Sequence, residues 1–184
     1  MKLKQFLAPL ALMLMLLTVA SCNSWDDGWN EPPQDVQGYK PVYVTHQEAY
    51  TVSVLTPQTL VKPGKIYIYH GLLFVVERLK GIHVINNLDP SNPQPIAFLS
   101  IPGCNDVAVS GGFLYADNVT DLVTFNIQDP ANIQFEQRLP GRFPHGLKLY
   151  PEQASNNYFE CVDTTKGVVI DWEYTTLNNP KCYR

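Results

Sequence analysis

The sequence lacks any apolar run long enough to cross a membrane as a helix. The longest run extends from Phe6 to Ala20, about fifteen residues, whereas a membrane-spanning helix needs about twenty. The chain beyond this run also lacks helical hydrophobic periodicity. These two absences argue against a helical membrane protein and against a helical fold.

The chain has no excess of positive charge. It carries 13 Lys and Arg residues against 17 Asp and Glu residues, a net charge of −4, and no basic stripe. Surfaces that bind nucleic acid or anionic lipid headgroups need such a stripe. We therefore expect no nucleic-acid partner.

Cysteine is scarce, and its spacing does not match that of a metal site. Beyond Cys22 the chain contains Cys104, Cys161 and Cys182. This odd number means that at least one is a free thiol or joins another chain. No two are spaced like a zinc pair and no histidine lies at ligand spacing from them, so we predict no metal site.

Motifs of common enzyme classes are missing too. The sequence contains no Gly-x-Ser-x-Gly segment, no P-loop and no dinucleotide fingerprint. We therefore predict no catalytic residue and no cofactor, and we favour a binding protein over an enzyme.

The N-terminus has the features of a secretion signal. Lys2 and Lys4 precede the apolar run, which ends in Leu-Thr-Val-Ala-Ser-Cys at residues 17–22. Small residues before a cysteine at this position resemble the lipobox of bacterial lipoproteins. The resemblance implies that residues 1–21 are a signal peptide and that Cys22 is lipidated. Acyl chains on Cys22 would then anchor the protein to a membrane of the bacterial cell envelope.

Residues 22–38 are predicted to form a flexible tether. The segment is acidic, contains Pro32 and Pro33, and has no periodicity. Acidic residues shortly after a lipidated cysteine, here Asp26 and Asp27, resemble the surface-export signals of lipoproteins from gut-type Gram-negative bacteria. This resemblance implies an outer-membrane location with exposure on the cell surface.

A repeat dominates the rest of the chain. At an offset of 40, residues 67–75 align with 107–115, 81–86 with 121–126, and 89–92 with 129–132. A period of this size, filled with short apolar runs and turn residues, is typical of propeller blades. The second copy contains four strand candidates: Asp106–Val109, Phe113–Asp117, Leu122–Ile127 and Phe135–Leu139. The repeat predicts an all-β fold of antiparallel four-stranded blades.

The predicted folded domain covers residues 39–184. Its blades are 64–103, 104–143 and 144–184, with Tyr43–Val44 and Tyr50–Leu55 as a partial blade. The inner runs are nearly continuously apolar, which predicts burial on both faces. In the third blade, Cys161 and Cys182 would lie in strands two spacings apart, about 9.6 Å, so no disulfide is expected there.

Several sequence segments resemble those of the LVIVD-repeat family, in the lipoprotein branch of Bacteroides-like bacteria. They are Lys-Gly-Ile-His-Val-Ile-Asn-Asn at 80–87, Asp-Pro-Ser-Asn-Pro at 89–93 and Lys-Gly-Val-Val at 166–169. The resemblance implies an incomplete or minimal β-propeller on the cell envelope. Relatives usually have more repeats, and an open stack leaves apolar faces uncovered. We therefore expect four minimal blades to close, or the free faces to contact a second copy, another protein or a glycan.

Carboxylates and histidines give weaker support to an alternative function, that of an enzyme. Asp117, Asp121 and Asp163 lie at predicted turns and would serve a carbohydrate-active or metal-assisted hydrolase if they met on one rim. Turn stabilisation explains them better, as it explains the repeated Asp-Pro-x-Asn segments. The histidines, His46, His70, His83 and His145, do not recur between copies and predict no catalytic role.

One modification signal lies at Asp163-Thr164-Thr165. It resembles the short O-glycosylation signal of Bacteroides-type envelope proteins, and the resemblance makes Thr164 a candidate attachment site. Taken together, the sequence favours a lipid-anchored envelope protein that acts as a binding module. A hydrolase, or a truncated propeller remnant without a function of its own, is the alternative.

Overall fold

The computed structural model describes residues 34–144, 148–152 and 155–184, and this part of the chain is all-β. In chain order its elements are β1 (Asp35–Val44), α1 (His46–Tyr50), β2 (Ser53–Leu55), β3 (Pro63–Tyr69), β4 (Leu72–Glu77), β5 (Gly81–Asn86), β6 (Gln94–Ser100), β7 (Val107–Ser110), β8 (Phe113–Asn118), β9 (Asp121–Asn126), β10 (Gln134–Leu139), β11 (Tyr158–Phe159), a 3₁₀ turn (Thr164–Lys166), β12 (Val168–Asn178) and β13 (Cys182–Tyr183). Within these ranges, no helix is long and apolar enough to cross a membrane.

Three sheets contain these strands. The first sheet has the order β2-β6-β5-β4-β3, the second β10-β9-β8-β7, and the third β12-β1-β11-β13. All pairings are antiparallel except β1 with β11. In the described part of the chain, the sheets do not close into a barrel or a propeller.

The second sheet confirms the four predicted strands to within one residue at each end. Its first turn depends on glycine, since Gly111 and Gly112 have φ values of +60° and +82°. Two consecutive positive φ angles match the right-handed twist of the strands in a two-residue hairpin. The corresponding turn of the first sheet, His70-Gly71, has φ values of +46° and +76°.

The structural repeat does not keep the predicted offset of 40 throughout. Tyr69 pairs with Leu72, and Ser110 pairs with Phe113, so the first hairpins of the two sheets are equivalent at an offset of 41. The offset of 40 holds from β5 and β9 onward, because Asn86 and Asn126 occupy the same place. A shift of one residue moves every side chain of a strand to the opposite face. The offset of 41 therefore changes which residues of the two first hairpins are equivalent.

The first and second sheets pack front to back. We call the face that carries Phe74, or its equivalent Tyr115, the front face, and the other the back face. The main core joins the front face of the first sheet to the back face of the second. Its largest fully buried members are Phe74, Phe125, Ile82, Leu99, Ile101 and Leu114. Strands β3 and β7, which we call the inner strands, lie side by side. Lys65 of β3 forms an exposed ion pair there with Asp106, the residue before β7.

The third sheet differs from the predicted third blade. Its longest strand, β12, pairs along its length with β1, which begins at Asp35, inside the segment expected to be a tether. β2 joins the first sheet beside β6 and does not form part of a separate blade. The His145-Gly146-Leu147 part of the predicted third copy lies outside the described residues.

A disulfide links Cys161 to Cys182, which corrects the prediction of none. The prediction placed two strand spacings between the cysteines, but β11 and β13 are direct neighbours, and Phe159 lies opposite Cys182. The two Cα atoms are therefore 5.3 Å apart, within the range that a disulfide spans. Cys104 is buried and free, as the odd cysteine count predicts.

Candidate interaction surfaces

The back face of the first sheet is apolar, and the part of it beside the inner strand β3 is exposed. Two rows of paired residues form it: Ile66, Val75, His83 and Phe98 in one, and Ile68, Leu73, Ile85 and Pro95 in the other. Ile66 is 57% exposed and Ile68 is 65% exposed. Exposed, adjacent β-branched side chains on a sheet face indicate a contact surface.

The same positions in the second sheet are buried. Val107 and Val109 are the equivalents of Ile66 and Ile68, and they are only 1% and 6% exposed. The front face of the first sheet covers them, through side chains that include Phe74. The back face of the first sheet thus has the composition of an internal interface, but no sheet among the described residues covers it.

A segment that we call the strap, residues 56–62, joins β2 to β3 and contacts this back face at Glu77. Its Val61 and Lys62 amides donate hydrogen bonds of 2.8 and 2.6 Å to the two carboxylate oxygens of Glu77. The His83 Nε2 atom lies 3.3 Å from Glu77 Oε2, and both side chains are buried. Burial tends to raise the pKa of Glu77, but these hydrogen bonds outweigh it and hold the pKa below its ordinary value.

The front face of the second sheet is more polar. One row contains Ala108, Tyr115, Thr124 and Gln137, where the first sheet has Tyr67, Phe74, Val84 and Ala97. A shallow groove lies there, lined by Phe113, Tyr115, Thr124, Glu136 and Gln137. The Thr124 hydroxyl is buried without a hydrogen-bond partner. Ala108 is exposed, so the prediction that both faces of this strand are buried is wrong.

The three candidate carboxylates each stabilise local structure. Asp117 accepts hydrogen bonds from the Asn105 and Asp106 amides, at 2.8 and 2.7 Å. Asp163 accepts from the amide and hydroxyl of Thr165, which caps the 3₁₀ turn. Among the described residues, no group of three or more His, Cys, Asp or Glu side chains is placed to hold a metal ion.

Asp121 belongs to a buried polar cluster that the sequence did not predict. Arg138 donates to Asp121 Oδ2 at 2.9 Å, to Asn118 Oδ1 at 2.6 Å and to the Tyr50 carbonyl at 2.7 Å. Asn118 in turn donates to the Ala49 carbonyl at 2.8 Å. The cluster fastens α1 to the second sheet. Its members lie far apart in sequence, so no local pattern could reveal it.

The Asp-Pro-x-Asn segments form the same turn in both sheets. Asp89 Oδ1 accepts from the Ser91 amide, and Asp129 Oδ1 accepts from the Ala131 amide, each at 3.0 Å. The main-chain bonds from Asn92 and Asn132 to the Asp89 and Asp129 carbonyls repeat as well. These contacts support the interpretation of the segments as capped turns.

The remaining candidate residues are separate from these surfaces. Thr164 is exposed at the start of the 3₁₀ turn, where a glycan could be attached. His46 starts α1 and is exposed, and the His70 ring packs edge-on against Tyr69. Cys22 and His145 lie outside the described residues.

The chain was compared with protein-family models, with curated proteins and with solved structures. None of the three comparisons found a match.

Proposed function

We propose that this chain is a lipid-anchored envelope protein whose propeller-type blades act as an interaction module. In this proposal the first and second sheets are consecutive blades of LVIVD-repeat type. Front-to-back stacking of two equivalent sheets, with inner strands β3 and β7 side by side, supports it. Blades of a propeller stack in this way around an axis.

The membrane anchor is proposed from the sequence alone. The lipobox-like residues 17–22 place the acyl chains on Cys22, ahead of an acidic segment. Two or more acyl chains would hold the protein stably at the membrane. The sheets would then face the surroundings of the outer membrane.

The observation that carries the interaction function is the uncovered back face of the first sheet. A buried Ile or Val side chain contributes about 1.5–3 kcal/mol relative to an exposed one. Ile66 and Ile68 forgo most of that contribution in the isolated chain, whereas Val107 and Val109 receive it. A partner that covers the back face would restore it.

Photo-crosslinking in cells tests this function. A photoreactive amino acid at position 68 of the full chain should give discrete adducts in the envelope fraction. The same group at position 88 is the control, because Leu88 is 77% exposed but lies in the turn after β5, away from the back face. Cys22→Ser should release the protein from the membrane fraction.

Two results would contradict the proposal. One is equal, diffuse labelling from positions 68 and 88, which would mean that the back face has no specific partner. The other is an unchanged membrane fraction in the Cys22→Ser variant, which would remove the lipid anchor.

A further inference from the structure

We propose that the back face of the first sheet packs against the same face of a second copy, giving a symmetric dimer. This inference rests on the proposed interaction function and names its partner. The contact centres on Ile66 and Ile68, with Leu73, Ile85 and Pro95 beside them.

Among its described residues, the back face presents no free polar side chain in the two rows that contain Ile66 and Ile68, whereas Ser53 and Ser100 lie farther along the same face, in the row of Glu77. Glu77 and His83 are its buried polar side chains, and they are engaged with each other and with the strap. Recognition of a glycan depends on polar side chains that can exchange hydrogen bonds with hydroxyl groups. The partner that fits this face is therefore an apolar protein surface.

The repeat specifies what kind of surface fits. In the second sheet the equivalent positions are covered by a β-sheet face, and this packing buries Val107, Val109, Leu114 and Phe125. Sheet faces of this kind stack about 10 Å apart with interdigitated side chains. The front face of the first sheet is already buried in each copy, so the uncovered apolar sheet face that a second copy offers is the back face of its own first sheet.

Within residues 34–144, 148–152 and 155–184, two faces of the repeat sheets have no covering sheet, and only one of them is compatible with the back face of a second copy. The front face of the second sheet would bring Ser110, Thr124 and Gln137 against Ile66 and Ile68. Burying polar groups against aliphatic side chains without hydrogen-bond partners is unfavourable. Two back faces bury apolar surface against apolar surface, so back-to-back pairing is favoured.

Back-to-back pairing also closes the assembly. The same patch on both copies forms an isologous interface, which stops at two subunits, whereas back-to-front pairing continues into a ring or a filament. Two copies anchored to one membrane have a raised effective concentration, which favours even a modest interface. Dimer formation would cover the back face of both copies at once.

Light scattering on the chain from Cys22 onward, prepared without lipid, tests the dimer. This chain includes the compact unit Pro32–Arg184. Its mass should rise with concentration to twice that of one chain and then stay constant. Ile68→Asp would place a charge in the apolar contact and should weaken dimerisation about 100-fold or more. Circular dichroism should show that this variant keeps the fold.

Two control variants define the interface. Leu88→Asp makes the same change at an exposed aliphatic residue away from the back face, and Tyr115→Lys changes the front face of the second sheet. Both should dimerise like the unchanged chain. A monomer at every concentration overturns the proposal. So does a mass that keeps growing, or a dimer that Tyr115→Lys disrupts, since either points to back-to-front packing.

The outcomes also separate this inference from the proposed function. A monomer that still crosslinks from position 68 to a different protein in cells would refute the dimer and keep the interaction function. A dimer whose position 68 crosslinks only to itself, with Cys22→Ser still in the membrane fraction, would keep the dimer and refute the lipid anchor.

Discussion

Ile68 and Val109 occupy the same position in two copies of one repeat, yet Ile68 is 65% exposed and Val109 is 6% exposed. Both side chains point from an inner strand to the back face of their sheet. The difference arises from the neighbouring sheet, which covers Val109 and leaves Ile68 free. Among the described residues, the back face of the second sheet is therefore buried in an interface. The same face of the first sheet, one repeat earlier, has no sheet packed against it.

Substitution by Asp should destabilise the fold far more at position 109 than at position 68. Val109→Asp buries an unpaired charge in the core and should cost about 4 kcal/mol or more, or prevent cooperative folding. Ile68→Asp should change the free energy of unfolding by less than about 1 kcal/mol in dilute solution. Urea unfolding at low protein concentration measures both. Equal losses would mean that the front-to-back packing is misassigned.

Glu77 should make the strap sensitive to acid. The pKa of Glu77 is lowered in the folded chain, so its contribution to stability is complete at neutral pH. That contribution is lost as the pH falls from the ordinary glutamate range through the lowered value. Glu77→Gln should therefore cost about 1–2 kcal/mol at pH 7 and progressively less in acid.

Urea midpoints measured at several pH values check this prediction. Glu173→Gln is the matched control, because Glu173 is exposed on β12. A Glu77→Gln penalty that is independent of pH would show that the carboxylate charge has no part in holding the strap.

Loss of Arg138 should destabilise the fold far more than loss of Lys65, although each side chain pairs with an aspartate. Arg138→Ala removes the charged donor from Asp121 Oδ2 and Asn118 Oδ1, leaves a largely buried carboxylate without its ion-pair partner and should cost about 3 kcal/mol. Lys65→Ala breaks an ion pair in which both side chains are exposed and should cost less than about 1 kcal/mol. Thermal unfolding of the two variants gives the comparison. Similar losses would contradict the role assigned to the Arg138 cluster.

The three cysteines beyond Cys22 should label in a fixed order with an alkylating agent. Burial, reinforced by the Asp117 carboxylate, raises the pKa of the Cys104 thiol, so the native chain should not react there. Unfolding without reductant should expose Cys104 alone, and added reductant should release Cys161 and Cys182. Peptide mass mapping reads each site. Labelling of Cys161 in the oxidised native chain would refute the disulfide.

Three strands of the second sheet could be predicted because each is a short, mostly apolar run between turn residues, whereas β10 is mostly polar, with Phe135 and Leu139 as its apolar residues. The register between the two copies of the repeat was harder to predict. The turn between β4 and β5 has three residues, Arg78–Lys80, whereas the turn between β8 and β9 has two, Val119 and Thr120. This difference compensates for a shift of one residue in the first hairpin. A single alignment at an offset of 40 therefore conceals that shift.

The third sheet depends on partners that are distant along the chain. Asp35 lies opposite Asn178, and Gly38 lies opposite Tyr158, and neither pairing has a local sequence signal. The disulfide follows from the same pairing, because β11 and β13 become neighbours. The exposure of Ile68 was equally hidden, since its strand has the composition of a buried one.

The most direct test of the account compares the alkylation rates of Ile68→Cys and Val109→Cys in the folded chain, read by peptide mass. We predict that Cys at position 68 reacts rapidly in dilute solution and slowly in concentrated solution, where a second copy covers it. Cys at position 109 should be protected at both concentrations. Protection at position 68 at every dilution, or rapid reaction at position 109, would contradict the central claim that the two equivalent faces differ in their cover.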